Sequence, residues 1–185
     1  MNPIFRAAVD VQRFCDDQQW RFCIIGALAV IRWGEPRLTQ DVDLTILTGF
    51  GGEDRYVDAL LRRFMGRRED ARAFALQYRV VLLESDGVPV DVALGAMPFE
   101  EHAVERSTAW LLPDGSSILT CSAEDLIVFK AFAGRDKDWL DVEGIIVRQA
   151  PRLDTGLIME ELGPLLDLKG TTEDLARLQG LFRRA

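Results

Sequence analysis

The sequence predicts a mixed α/β (α+β) fold: a twisted mixed sheet flanked by helices, with a small helical part at the C-terminal end. Three stretches carry that prediction. Residues 22–25 are an apolar run ended by Gly26; helix-forming residues 27–33, a Gly34-Glu35-Pro36 break and the strand-like residues 42–47 follow, giving strand, helix, loop, strand. Residues 78–84 and 88–94 are apolar runs joined by Ser85-Asp86-Gly87, and Asp-Gly between such runs signals a hairpin. Ser122-Ala123-Glu124-Asp125 opens a helix with Ser122 as N-cap and acids in its first turn, and Gly134 closes it.

The other elements follow in order. Phe5, Ala8, Val9 and Phe14 fall near helical spacing and predict a helix over residues 4–19, lying on the sheet. The unbroken apolar character of residues 20–25 predicts a central strand covered on both faces. After the loop Thr48 to Gly52, Val57, Leu60, Leu61 and Phe64 form one stripe of a helix over residues 53–65, stopped at Gly66. A short helix over residues 100–106 and strands at 108–112 and 117–120, turning at Pro113-Asp114-Gly115, lead into the helix capped by Ser122. Leu126, Phe129, Lys130 and Ala133 make its apolar stripe, so Lys130 either snorkels or reaches negative charge. A further helix reaches Gln149. Pro151 to Asp154 is a break, and two amphipathic helices at 157–168 and 172–184, the second capped by Thr172, complete the chain. The predicted organisation is a main domain over residues 1–150 and a helical extension over 151–185 packed on it.

Composition narrows the function. Apolar residues make up 48% of the 185, enough for a core. A formal charge of −8 argues against a broad, nonspecific nucleic-acid binder, though not against a local basic patch. Cys15, Cys23 and Cys121 lack metal-ligand spacing and predict reduced thiols in a cytoplasmic protein. Charged residues at 6, 10, 13, 16 and 17 interrupt any signal-peptide core, and no apolar run approaches the length of a membrane span. The one histidine, His102, has no companion ligands that would suggest zinc.

The chemistry concentrates in carboxylates. Asp41 and Asp43 are two residues apart at the start of a strand, so their side chains share a face and repel unless a cation lies between them. Their oxygens suit Mg²⁺ before Zn²⁺. Asp91 is a single acid in the otherwise apolar strand 88–94 and needs either a basic partner or a metal. Gly26 stands where strand becomes helix, and the first N–H groups there are open to phosphate. Five arginines, Arg62, Arg63, Arg67, Arg68 and Arg72, read either as a solvated helix end or as a phosphate contact.

The stretch GALAVIRWGEPRLTQDVDL (residues 26–44) resembles the core motif of the nucleotidyltransferase fold, the polymerase-beta-like superfamily: a glycine turn, a helix, then Asp-x-Asp opening a strand. It is most similar to the AbiEii/MenT-type nucleotidyltransferases of bacterial toxin–antitoxin systems, and the likeness covers about residues 20–150. The turn reads Gly26-Ala27 where the superfamily has Gly-Gly or Gly-Ser, so phosphate contact there falls to backbone N–H groups. The resemblance implies a Mg²⁺ site (Mn²⁺ as substitute) at Asp41, Asp43 and Asp91; nucleotide contacts at Gly26, Ala27, Arg37, Thr39 and Lys130; and catalytic roles for the three aspartates, Lys130 and Asp138. Asp138, from the Arg-x-Lys-Asp segment, would act as an orienting base or as a clamp on Lys130; its plainer reading is charge stabilisation of a helix N-terminus. The implied reaction moves a nucleoside monophosphate from an NTP to a hydroxyl of RNA such as tRNA, of a protein or of a small molecule, with an antitoxin as a possible partner. Two other readings stand beside it: a binding module of the same fold without catalysis, and an antibiotic nucleotidyltransferase.

Overall fold

A computed structural model describes residues 2–184 of the chain. They form two compact units. The first comprises the described residues up to Leu28 together with Leu38–Cys121; the second comprises Ala29–Arg37 together with the described residues from Ser122 onward. The boundary expected at residue 150 lies inside the second unit, where a 3-10 turn, Ala150–Arg152, marks the predicted break.

The first unit is built on a seven-stranded mixed sheet of β1 (Phe22–Ile25), β2 (Val42–Leu47), β3 (Met65–Gly66), β4 (Val80–Ser85), β5 (Val88–Gly95), β6 (Thr108–Leu111) and β7 (Ser117–Thr120), in the order β3-β4-β5-β2-β1-β7-β6. β2 pairs antiparallel with β1 and parallel with β5. On the central strands alternate residues are fully buried: Val42, Leu44 and Ile46 on β2, Val90 and Val92 on β5, Val81 and Leu83 on β4. The residues between them, including Asp43 and Asp91, point to the other face. Helix α1 (Pro3–Asp17) lies against β2, β4, β5 and β7, as its apolar spacing predicts. The hairpin turn is as read: Ser85 pairs with Val88, and Asp86 and Gly87 both have positive φ, 50° and 78°, which suits the twist of the two strands.

Two local readings are corrected. The helix after the Thr48–Gly52 loop, α3 (Glu53–Arg63), ends earlier than predicted, because Phe64 is already extended and leads into β3. A two-residue strand leaves no periodic signal. Residues 71–78, of which the sequence assigns only Tyr78, to the start of a strand, form helix α4 (Ala71–Tyr78), which Arg79 ends in the left-handed conformation. α5 (Pro98–Glu105) follows β5, with the Glu100 carboxylate accepting from the N–H groups of Ala96 and Met97 at 2.8 and 3.0 Å.

The second unit is helical. It contains α6 (Ala123–Ala133), α7 (Asp136–Gln149), α8 (Thr155–Lys169) and α9 (Glu173–Phe182), with α6 packed on α7 and α8. Ser122 caps α6 as predicted, its Oγ accepting from the Asp125 N–H at 3.0 Å, and Gly134 ends it with φ 72°. The predicted one-sided stripe on α6 is a correction. Leu126, Ile127, Val128, Lys130 and Ala131 are all buried, so the helix is covered on most sides and Lys130 is buried with its apolar neighbours. At the start of α9, Thr172 makes no side-chain cap bond. Residues 29–37 belong here because α7 holds their backbone: Arg148 donates to the Gly34 carbonyl at 2.6 Å and Gln149 to that of Trp33 at 2.9 Å.

No helix of the described residues is long and apolar enough to cross a membrane. All three cysteines are buried thiols, and burial pushes that of Cys15 up to about 12.

Candidate active site

In the first unit, strand register assembles the carboxylates. Asp43 on β2 is directly opposite Asp91 on β5 and, on its other side, opposite Ile25 on β1. Residues opposite one another in neighbouring strands share a face, so Asp43 and Asp91 are side-by-side acids. Asp41 precedes β2 by one residue and falls two positions before Asp43. Its carboxylate Oδ1 accepts a 2.7 Å hydrogen bond from Thr39 Oγ1, which fixes its direction. Thr39, expected at the nucleotide, also steadies Asp41.

Gly26 follows Ile25 and begins helix α2 (Gly26–Trp33) with φ 62°. A Cβ placed on Gly26 would lie 2.0 Å from Asp43 Oδ2. Both the backbone conformation and the space beside it demand glycine. The start of α2, at Gly26 and Ala27, thus lies beside the Asp43 carboxylate. Its first N–H groups have no partner within the helix, as is general for a first turn.

Arg67 joins the same row. Its N–H donates to the Leu82 carbonyl at 2.9 Å, extending the β3–β4 pairing by one residue, and Leu82 is opposite Asp91. Across the sheet the row reads Arg67, Leu82, Asp91, Asp43, Ile25. The Arg67 guanidinium passes over Leu82 and forms an ion pair with Asp91. Burial pushes the Asp91 carboxyl above the usual carboxylate range; Arg67 pulls it back down and the nearby Asp41 charge raises it again.

The donors fit a hard divalent cation in kind: three carboxylates, two of them adjacent in register, one held up in pKa partly by another's charge. Among the described residues no three acidic, histidine or cysteine side chains stand ready as a metal-binding group. At Asp91 the guanidinium of Arg67 provides the positive charge.

The second unit holds the remaining predicted residues in a buried ionic network. Lys130 is 6% exposed, and its Nζ reaches Asp138 Oδ1 at 3.2 Å and Asp141 Oδ2 at 2.9 Å. Arg135 contacts both oxygens of Asp138, at 2.5 and 3.1 Å. Arg37 grips Asp141 with two hydrogen bonds of 3.0 and 3.2 Å. Burial alone would raise the Asp138 carboxyl. Hydrogen bonds from Arg135 and the charge of Lys130 outweigh it and hold the group below its ordinary value. Asp138 is completely buried in the first turn of α7.

Sequence reasoning missed two participants. Arg67 was one of five clustered arginines, and only the short β3 pairing sends it to Asp91. Asp141 follows Asp138 by about one helical turn, a spacing that points to it as the second partner of Lys130; its bond to Arg37, 104 residues away in sequence, has no local signal.

No protein-family model and no curated protein sequence matches the chain. Solved structures do. An antigenic nucleotidyltransferase-like protein from Paracoccidioides brasiliensis aligns over 97% of this chain and 91% of its own, with a TM-score of 0.54 and 18% identity. The antibiotic-resistance factor ANT(2'')-Ia aligns over 94% of this chain and 95% of its own, with a TM-score of 0.54 and 15% identity. The fold is that of the nucleotidyltransferases.

Proposed function

We propose that the chain is a nucleotidyltransferase that moves a nucleoside monophosphate from an NTP to an acceptor hydroxyl. The observation that carries this reading is the in-register pair of Asp43 and Asp91 beside the Gly26 turn. Carboxylates that hold metal and backbone N–H groups that take phosphate are what the reaction needs close together. Asp41, Asp43 and Asp91 are the proposed ligands of Mg²⁺ or Mn²⁺, which when bound would neutralise phosphate charge and lower the pKa of the attacking hydroxyl.

The chain's own groups then position and exclude. Gly26 and Ala27 offer N–H groups to phosphate oxygens, and Thr39 keeps Asp41 aimed at the site. The acceptor oxygen attacks the α-phosphorus, the bond from that phosphorus to the bridging oxygen breaks, and pyrophosphate leaves. The hydroxyl proton passes to the carboxylate cluster. The roles of Lys130 and Arg37 at phosphate, and of Asp138 behind Lys130, rest on the sequence resemblance.

The acceptor follows from charge. A net charge of −8 suits a cationic small molecule, such as the aminoglycosides, or a basic protein better than RNA. tRNA and a toxin role with an antitoxin partner, in the manner of the AbiEii/MenT group, rest on the wording of residues 26–44. The buried thiols fit the reducing cytoplasm.

One observation favours a second reading, a binding module of the same fold without catalysis: Arg67 already neutralises Asp91. Calorimetry with each of the four NTPs and Mg²⁺, on wild type and on the double variant Asp41→Ala/Asp43→Ala, separates the two. Metal-dependent binding lost in the variant supports the enzyme; no binding of any NTP to wild type overturns it.

A further inference from the structure

We propose that Arg67 is a latch on the carboxylate cluster: its guanidinium and a divalent cation compete for Asp91, and the guanidinium displaced by the metal turns to the phosphates of the incoming nucleotide. The inference rests on reading Asp41, Asp43 and Asp91 as the metal site.

Three observations support it. The first is selectivity among neighbouring arginines. Arg63 pairs with Asp10, Arg68 with Asp70, and Arg72 with Asp54 and Asp58. These are ordinary surface pairs on loop and helix acids. Arg67 instead reaches across Leu82 to an acid on the interior strand β5. The second is the anchor. Its backbone is fixed to the Leu82 carbonyl, so the side chain alone can swing while the row of strands stays in place. The third is access. The Arg67 and Asp91 side chains are 30% and 35% exposed, so the pair opens to solvent without unfolding anything, and ions arriving from solution can reach it. An exposed pair of this kind is weak enough to be exchanged.

The competition follows from charge. One guanidinium and one divalent cation cannot both sit against a single carboxylate without repelling each other. Without metal, Arg67 relieves the repulsion among the three aspartates. When a nucleotide brings metal to the cluster, the guanidinium needs a new anion, and the triphosphate is the nearest one supplied; arginine pairs with phosphate through two parallel hydrogen bonds. Metal without nucleotide would then bind weakly, and metal with nucleotide strongly.

The test uses Mn²⁺ as probe on the full chain, followed by the electron paramagnetic resonance signal of free ion and by the thermal shift Mn²⁺ produces. In the absence of nucleotide, Arg67→Ala is expected to bind Mn²⁺ five- to twentyfold more tightly than wild type and to show the larger thermal shift. Arg67→Lys, which keeps the charge and loses the fork, is expected in between. Adding a non-hydrolysable NTP analogue should tighten Mn²⁺ binding by wild type more than by Arg67→Ala. Far-UV circular dichroism establishes that each variant is folded. Equal or weaker Mn²⁺ binding by folded Arg67→Ala, with Asp43→Ala abolishing it, overturns the latch and leaves the metal site standing. Mn²⁺ binding that is absent throughout, or indifferent to Asp43→Ala, overturns the metal site and the latch with it.

Discussion

Gly26 and Asp43 compete for one volume: a single methyl group on Gly26 would stand 2.0 Å from Asp43 Oδ2. The helix that presents its N–H groups and the strand that presents the carboxylate are therefore closed against each other with no spare space. Gly26→Ala must both strain a left-handed backbone, at about 1–2 kcal/mol, and push the Asp43 side chain aside. Its melting temperature should fall and the proposed Mg²⁺-dependent NTP binding should be lost. Ala27→Gly is the contrasting variant. Ala27 is 3% exposed, so the helix weakens by about 1 kcal/mol, but a contact made by backbone N–H survives. Calorimetry on the two variants should separate them; NTP binding retained by Gly26→Ala would show that the turn is not the phosphate site.

Asp41 tests function against stability. It helps push the Asp91 carboxyl up, so its charge is unfavourable to the folded cluster when no cation is present. In Asp41→Asn the amide oxygen still accepts from Thr39. The variant should melt at the wild-type temperature or slightly above it, while nucleotidyl transfer falls by about 10²–10³-fold or more, the size of losing one electrostatic contact to a transition state. Thermal melts beside a pyrophosphate-release assay measure both, and a variant that keeps full turnover would remove Asp41 from the site.

Much of the first unit was legible because its signals are local. Residues 42–47 and the Asp86-Gly87 turn sit where period and turn chemistry place them, and the pairing of Asp43 with Asp91 adds a register that the two strands show only in the structure. What was not legible depends on partners distant in sequence or on very short elements. The two residues of β3 show no alternation, so Arg67 remained one arginine in a cluster. Lys130 was visible as a misfit on an apolar helix, but the sequence could not show whether phosphate or protein acids answered it. The structure adds Asp141 to the Asp138 that the resemblance offered. Residues 29–37 were read with the strand that precedes them, and their assignment to the helical unit comes from side chains of α7 more than a hundred positions away.

Lys130→Met keeps the length and apolar stem of the side chain and removes its charge. It leaves the buried carboxylates of Asp138 and Asp141 close together with only the arginines to balance them. Removing one partner from a buried ionic group costs about 3–5 kcal/mol, and urea unfolding should show a loss of that order. A loss below about 1 kcal/mol, the scale of an exposed pair, would mean that Lys130 is not structurally bound to the two acids.

Asp138 gives the network a pH signature. Its folded carboxyl lies below its ordinary value, chiefly because hydrogen bonds from Arg135 and the charge of Lys130 overcome the effect of burial. A carboxyl depressed on folding contributes stability that is complete above the unfolded pKa, near 4, and is lost as pH falls through the folded value. Asp138→Asn cannot take up that proton. It should be less stable than wild type by about 3 kcal/mol at neutral pH, the lower end of what breaking a buried pair costs, since the amide still accepts one hydrogen bond. As pH falls below about 4, wild type should lose this advantage and the two unfolding curves should converge. Urea melts of both proteins from pH 7 to pH 3 measure the gap directly. A gap that stays constant across that range would mean that Asp138 acts through packing alone, and that the ionised carboxylate is not what holds Lys130 in place.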